Sequence, residues 1–480
     1  MNAAFEIGLK NPLRWRGIYQ EAELYKAVVR VYTKPLFHWR KALSTSTDGK
    51  TLYDLAGPGL RGLDGIHRAL QSGTFQFRPA LALKYNFNGK YRTLYISPWE
   101  ERIVDLLLYR TLNHRLHGWF SPHSYAYRDR TYGLDRCQAR IARLLRSAGT
   151  PLYLIKRDIA DYFASVDHAI LLDQLSSLIA SDDYLFELLE QRVRFPYRDG
   201  NGEQRANVGI PFGSAVACLL ANIYLTPIDR KMEDLPGLAY FRYADDILIL
   251  TPDRSVAVAA RERLEQGLEE LNLRVKSSHR ADLVVYGEAV ADEAFASACE
   301  FRHLGLLFRT GGNVALSRDK CRKIQNLFRF AFRRARRRWR KLANPVERVQ
   351  ALVSIARETA ERGVRNVAIL DYYLRHVDDE AQLRQLDRWL AEEILSLIFG
   401  GHKKGHFGRF SFAKLRLTGL PSLVHRRRLI RHGRIESPFF IWQRQKATRA
   451  FRGTVARPDS APSGTPAFSP FPEAAASACP

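Results

Sequence analysis

The sequence predicts an α+β fold of more than one unit, and three observations carry that prediction. Between residues 151 and 308 short β-type runs alternate with longer helical ones, the pattern of a sheet with helices packed on one face. After residue 317 the β-type runs stop and amphipathic helical text takes over. The apolar fraction of 46% over 480 residues is ample core material, and a prior of about 150 residues per domain suggests roughly three units.

Taken in order, residues 1–58 form an N-terminal extension with mixed helical and irregular signals and many aromatics. Residues 59–150 alternate short helices and strands and are rich in Arg. Gly57, Gly59 and Gly62 match GxGxxG, but the text before them is a poor strand and no acid occurs between Asp64 and Glu100, so a Gly-rich turn entering a helix is expected. A β-type run at 152–155 leads through Lys156 and Arg157 to Asp158. Helical periodicity covers 215–225, ahead of Pro227, and 256–271. Between these helices, β-rich arms at 238–243 and 247–250 flank a short acidic turn.

Residues 322–341 hold ten basic side chains and no acid. Ile324, Leu327, Phe328, Ala331, Phe332, Ala335 and Trp339 recur there at three- and four-residue steps, so one helix face is buried while the other stays cationic. Helical text continues to about 398. Residues 400–453 are basic again, with Phe407, Phe410, Phe412, Phe439, Phe440 and Trp442 interleaved and Glu436 the only acid. The Pro-, Ala- and Ser-rich stretch 454–480 reads as a disordered tail.

Charge points to partners. Lys and Arg number 75 against 50 Asp and Glu, a net +25, and polyanions are the expected ligands of such a surface. No stretch approaches the ~18 consecutive apolar residues of a membrane span, and the N-terminus lacks a basic-then-apolar leader pattern. A cytoplasmic protein with no membrane partner is expected. Cys137, Cys218, Cys299, Cys321 and Cys479 form no CxxC pair, which supports neither a disulfide framework nor a zinc knuckle. His402 and His406 have the spacing of half a zinc site but no cysteine nearby.

The sharpest chemical feature is Tyr243-Ala244-Asp245-Asp246. Two adjacent carboxylates in a tight turn between apolar arms are costly to hold without a cation, although an exposed Asp-rich turn has the same text. Asp158, at the end of another expected strand, sharpens the reading: if the strands adjoin, Asp158 and Asp245 converge. Two Mg²⁺ ions about 3.5–4 Å apart need such carboxylates to hold an attacking hydroxyl and a leaving phosphate. Mg²⁺ also suits a site where substrate phosphates and water complete the shell.

These residues fall within larger blocks. Asp158-Ile159-Ala160-Asp161-Tyr162-Phe163 leads on to Asp167-His168, Gly209-Ile210-Pro211-Phe212-Gly213-Ser214 follows, and Tyr243-Ala244-Asp245-Asp246 closes the series. Together they resemble the palm motifs of reverse transcriptases, best those of the bacterial branch that contains group II intron, retron, diversity-generating and phage-defence enzymes. Arg92-Thr93-Leu94-Tyr95, Ser124-Tyr125-Ala126-Tyr127-Arg128, Leu271-Asn272-Leu273 and His303-Leu304-Gly305 are similar to other blocks of that family and stand in its order.

The resemblance implies a right-hand polymerase with fingers over 59–150, a ferredoxin-like palm over 151–316 with part of the fingers interleaved, and a helical thumb over 317–399. A basic RNA-binding extension over 400–453 would follow. It implies that Asp158, Asp245 and Asp246 are the catalytic acids and hold two Mg²⁺ ions, or Mn²⁺ in their place, with the Ile159 carbonyl as a further ligand. Arg92, with Lys84 and Lys90, would meet the incoming triphosphate, Arg being suited by its charge-assisted bidentate contacts. Asp161 would lie where the triphosphate passes the backbone. Phe163 would block a ribose 2′-hydroxyl, and Phe212 and Gly213 would lie beside the nucleotide. Phe212 departs from the family, which commonly has Gln there, and the Lys expected after the Leu-x-Leu segment is either Lys276 or displaced to His279.

Arg128, Arg333, Arg337, Arg340, Lys403, Lys404, Arg426 and Arg427 are the expected nucleic-acid contacts, through phosphates and base stacking. The implied function is an RNA-directed DNA polymerase that takes dNTPs and an RNA template or dedicated noncoding RNA, makes a DNA strand and serves antiphage defence. A homo-oligomer or accessory protein is a further expected partner. Alternatives are an untemplated or short-repeat polymerase, a diversity-generating enzyme, or a non-catalytic RNA-binding splicing helper.

Overall fold

Strand-forming residues at period two build three sheets in the first of two units, Met1–Ser317; the second unit is Arg318–Pro480. The computed structural model describes residues 9–33, 44–55, 61–87, 90–128, 132–149, 151–276, 283–287, 295–361, 370–371 and 373–435. Residues 57–60 of the Gly-rich match, His279, Phe439, Phe440, Trp442 and the tail 454–480 lie outside the described residues.

The strands are, in chain order, β1 (Ala80–Phe87), β2 (Lys90–Ile96), β3 (Leu152–Asp158), β4 (Pro196–Asp199), β5 (Gly202–Arg205), β6 (Ala239–Tyr243), β7 (Asp246–Thr251), β8 (Val284–Tyr286), β9 (Ala296–Ala298), β10 (Glu300–His303), β11 (Leu306–Arg309) and β12 (Asn313–Leu316). They pair as β2-β1-β4-β5, β6-β7-β3-β8-β9 and β10-β11-β12. The second of these sheets positions the acids.

Ile247 to Leu250 are all buried, the continuous apolar run of a central strand covered on both sides. The helices Ala215–Glu233 and Arg254–Glu270 pack on this sheet and on each other. The fold is therefore α+β, as the sequence predicts. Asp253 starts the second helix, its carboxylate accepting from the Ser255 and Val256 amides. The first is apolar nearly all round and buries Leu219, Leu220, Ile223, Tyr224, Leu225 and Ile228, each fully buried aliphatic side chain contributing roughly 1.5–3 kcal/mol. It does not stop before Pro227 as expected but runs through it to Glu233. Packing on three helices and a sheet outweighs the lost amide bond, and the Thr226 hydroxyl donates to the Asn222 carbonyl at 2.9 Å beside it.

In the second unit the expected helix over 322–341 is two helices, Arg318–Arg334 and Arg336–Arg340, because Ala335 leaves helical geometry at φ −85°, ψ 9°. The Trp339 indole folds back and donates to the Phe332 carbonyl at 3.1 Å. The apolar face is as read: Ile324, Phe328, Phe332 and Trp339 are buried, while Arg333, Arg337 and Arg340 are exposed. Helices Phe412–Leu417 and Leu423–Arg431 pack on the Glu380–Phe399 helix, so described residues after 400 share its core rather than trail from it.

That packing corrects two expected nucleic-acid contacts. Arg427 is buried, donating to the Val377 carbonyl and to Glu380 Oε1. Arg426 is bound bidentately by the fully buried Asp371 at 2.6 and 3.0 Å. Both guanidiniums hold the unit together, because a cation folded under a helix must find an acid there. Lys403 and Lys404 are exposed. His406 is buried with Nε2 3.1 Å from the Gly400 and Gly401 carbonyls, a contact that shapes the loop.

Candidate active site

β3 lies between β7 and β8, and its register with β7 sets Asp158 directly opposite Asp246. The β6–β7 hairpin closes through the Tyr243–Asp246 pair, leaving Ala244 and Asp245 as a two-residue turn. Ala244 adopts φ +59°, the left-handed region that two-residue hairpins require and that costs a non-glycine residue about 1 kcal/mol.

The turn is held from beneath. Arg242 is fully buried, and its Nε and Nη2 donate to Asp229 at 2.6 and 2.5 Å. Its Nη1 reaches Asn222 Oδ1 at 3.1 Å and the Ala244 carbonyl at 3.3 Å. Tyr240 also donates to Asp229, at 2.8 Å. The core helix thus grips the turn through a satisfied ionic network.

Electrostatics at the acids are uneven. Burial, then the nearby charge of Asp158, pushes the Asp245 carboxyl above its ordinary value, and Lys276 partly opposes this. Lys276 donates to Asp158 Oδ1 at 2.5 Å. It is placed by backbone pairing: the Lys276 amide bonds the Asp158 carbonyl and the Ala160 amide bonds the Arg274 carbonyl. These bonds flank the Ile159–Val275 bridge and leave the Ile159 carbonyl outside the ladder. Asp246 Oδ1 lies 3.5 Å from Nδ1 of the fully buried His303. Among the described residues no three His, Cys, Asp or Glu side chains gather as a ready-made metal site. The strand ends bring Asp158 and Asp246 together with Asp245 beside them, while the side chains turn toward different partners.

An aromatic wall adjoins the acids. Phe163 packs edge-on against Phe212, with ring centroids 5.4 Å apart, and against Tyr127 at 6.4 Å. The Arg92 guanidinium lies 5.5 Å from the Phe212 ring. The Phe212 carbonyl accepts from the Tyr95 amide at 3.1 Å, tying this loop to β2. Gly213 has φ +109°, and a Cβ there would stand 2.6 Å from Leu94 Cδ1, so only glycine fits. Asp161, at φ +41°, is exposed beside Phe163.

The other sequence-derived candidates divide. Lys84 is exposed on β1 opposite Thr93, one position out of step with Arg92, which faces Tyr85; alternation puts Lys84 on the other face of the ribbon from Arg92. Lys84 and Arg92 therefore do not share one phosphate. Lys90 opens β2 opposite Phe87. Arg128 is a correction: its guanidinium donates to the Ser121, Ser124 and His117 carbonyls and lies over the Tyr132 ring, so it braces a loop. Reading the sequence missed the Arg242–Asp229–Asn222 network and the Asp246–His303 contact. A signal for the first exists in part: Arg242 is the one charge in the apolar β6 run, whereas Asp229 is masked by Arg230 and Lys231 beside it.

Known proteins bear on this geometry. Residues 83–283 match the family model described as reverse transcriptase (RNA-dependent DNA polymerase). The COX1/OXI3 intron 1 protein of Saccharomyces cerevisiae is 26% identical over 194 residues, 40% of this chain and 23% of that protein. Protein YkfC of Escherichia coli is 23% identical over 243 residues, covering 43% of this chain and 63% of YkfC. The chain thus spans about a quarter of the length of the intron protein. Among solved structures, telomerase from Candida albicans in complex with a fragment of telomeric RNA is similar at TM-score 0.41, with 11% identity over 76% of this chain and 70% of that one. The segment that carries Asp158, Asp245, Asp246 and the Phe163–Phe212 wall lies within the residues that match the reverse transcriptase model.

Proposed function

We propose that this protein is an RNA-directed DNA polymerase that extends a primer hydroxyl with dNTPs. The observation that carries the reading is the direct pairing of Asp158 with Asp246 across β3 and β7, with Asp245 in the adjoining turn. Such a donor set fits Mg²⁺, a hard cation that takes carboxylate oxygens and leaves room for substrate phosphates. The raised Asp245 carboxyl supports the fit, because burial beside Asp158 is the strain that a cation relieves. Asp158 and Asp245 would hold the metal, with the Ile159 carbonyl available. Bound Mg²⁺ would supply activation of the hydroxyl and stabilisation of the departing pyrophosphate.

The chain's own residues do the rest. Lys276 balances the charge of Asp158. The Arg242 network fixes the Ala244 carbonyl and so the pitch of the turn. Arg92 presents a cation beside the wall, suited to a triphosphate. Phe163, backed by Phe212, gives a rigid face that would exclude a 2′-hydroxyl. Fingers, palm and thumb are assigned to 59–150, 151–316 and 317–399 on this reading, and a noncoding RNA in antiphage defence is the biological role it favours.

The test is extension of a DNA primer on an RNA template by wild type and Asp245→Asn. Loss of synthesis with RNA binding retained supports the reading; retained synthesis removes it. Phe212, standing where the family commonly has Gln, favours one second reading, untemplated or short-repeat synthesis. Sequencing the product decides: a copy of the supplied RNA supports templating, and homopolymer supports the alternative.

A further inference from the structure

The second unit holds a cavity of about 780 Å³. The Glu380–Phe399 helix forms one wall, and the 404–416 segment and the Leu423–Arg431 helix form the others. Its size lies within the ~300–1,000 Å³ range of small-ligand sites.

The lining has two kinds of chemistry. Arg388, Lys404 and Arg416 are exposed cations. Arg388 is paired with Glu392, whereas Lys404 and Arg416 make no ion pair among the described residues. The one acid in the lining, Asp387, is consumed: its two oxygens accept from the Ser422 hydroxyl at 2.6 Å and the Leu423 amide at 2.7 Å. The second kind is aromatic. Phe407 and Phe412 both reach the cavity, and Phe412 remains 37% exposed.

An anion alone would satisfy the cations but leave the exposed Phe412 ring in water, and an apolar ligand would leave Lys404 without counter-charge and Arg416 with only the nearby Asp387, whose oxygens are already hydrogen-bonded. A nucleotide satisfies both, with its base on a ring and its phosphate on the cations. A duplex keeps its base faces stacked and cannot offer one, so the strand must be unpaired.

We propose that this cavity binds an unpaired nucleotide of a single-stranded nucleic acid, with base stacking on Phe412 and phosphate contact from Lys404 and Arg416. The inference deepens the RNA-directed reading and rests on it only for expecting RNA rather than DNA.

The test is fluorescence anisotropy of the full-length protein with a labelled 12-nucleotide RNA, the matching DNA and ATP as competitor. Lys404→Ala/Arg416→Ala should weaken strand binding more than tenfold and reduce the slope of log affinity against log salt by about 0.7, the value for one phosphate on a single strand. Phe412→Ala should weaken binding about five- to twentyfold with the slope unchanged, as loss of one stacked base predicts. Both results support the site, and the RNA and DNA arms name the preferred strand. Unchanged affinity in both variants, each with wild-type melting temperature, overturns it. So does ATP competing as well as the strand. Primer extension on a pre-annealed RNA–DNA duplex is read separately, so an inactive polymerase and a failed strand site give different results.

Discussion

Asp158 and Asp246 are direct partners across β3 and β7, yet Lys276 stands on the first and His303 on the second. Asp245, in the adjoining turn, has its carboxyl pushed above its ordinary value by burial and then by the charge of Asp158. Asp245→Asn should therefore abolish dNTP incorporation, by about 10³-fold or more if several kcal/mol of charge stabilisation is lost. Its melting temperature should stay level or rise, because the buried charge is gone. Primer extension with parallel calorimetry checks both halves.

The Arg242–Asp229 pair gives a prediction that separates stability from geometry. Arg242→Met leaves Asp229 buried without its cation and should cost about 3–5 kcal/mol, read by urea denaturation. Arg242→Met with Asp229→Leu should recover most of that stability, since apolar replacement of a buried pair is often neutral. Extension activity should stay low in the double variant, because the Ala244 carbonyl has lost its donor.

How far the site was legible follows from these residues. Asp158 and the 243–246 turn were readable because strand periodicity and an apolar frame mark where a strand must end. Arg242 and Asp229 were not paired in advance, because a buried ion pair depends on which helix crosses which strand, a matter of packing rather than local text. Arg128, Arg426 and Arg427 misled for the converse reason: composition counts a cation without revealing that a carbonyl or acid already holds it. The helix through Pro227 was hidden likewise, since propensity cannot weigh the burial around it.

Phe212 should act through Phe163. An aromatic pair contributes about 0.5–1.5 kcal/mol beyond its buried area, so Phe212→Ala should loosen the wall and raise rNTP relative to dNTP incorporation several-fold. Phe163→Ala should raise it further, and the double variant should match Phe163→Ala. The kcat/KM ratio for dNTP and rNTP measures this. Additive effects would show that Phe212 touches the nucleotide independently.

His168 predicts a pH dependence of stability. It is buried, with Nε2 donating to the Gly209 carbonyl at 2.6 Å, and so ties the 209–214 loop to the turn that carries Phe163. Burial, opposed by the Gly209 hydrogen bond and by Asp167 and reinforced by Arg194, holds the ring below its ordinary value of 6.5. The unfolded chain therefore binds this proton at a higher pH than the folded one, and stability rises with pH between the two values. The contribution is complete above about 6.5 and is lost as the solution is acidified toward the folded value. Melting temperatures from pH 8 to pH 5 should fall more steeply for wild type than for His168→Gln, whose amide keeps a donor to Gly209 without a titrating charge. Equal slopes would move the acid sensitivity to another group.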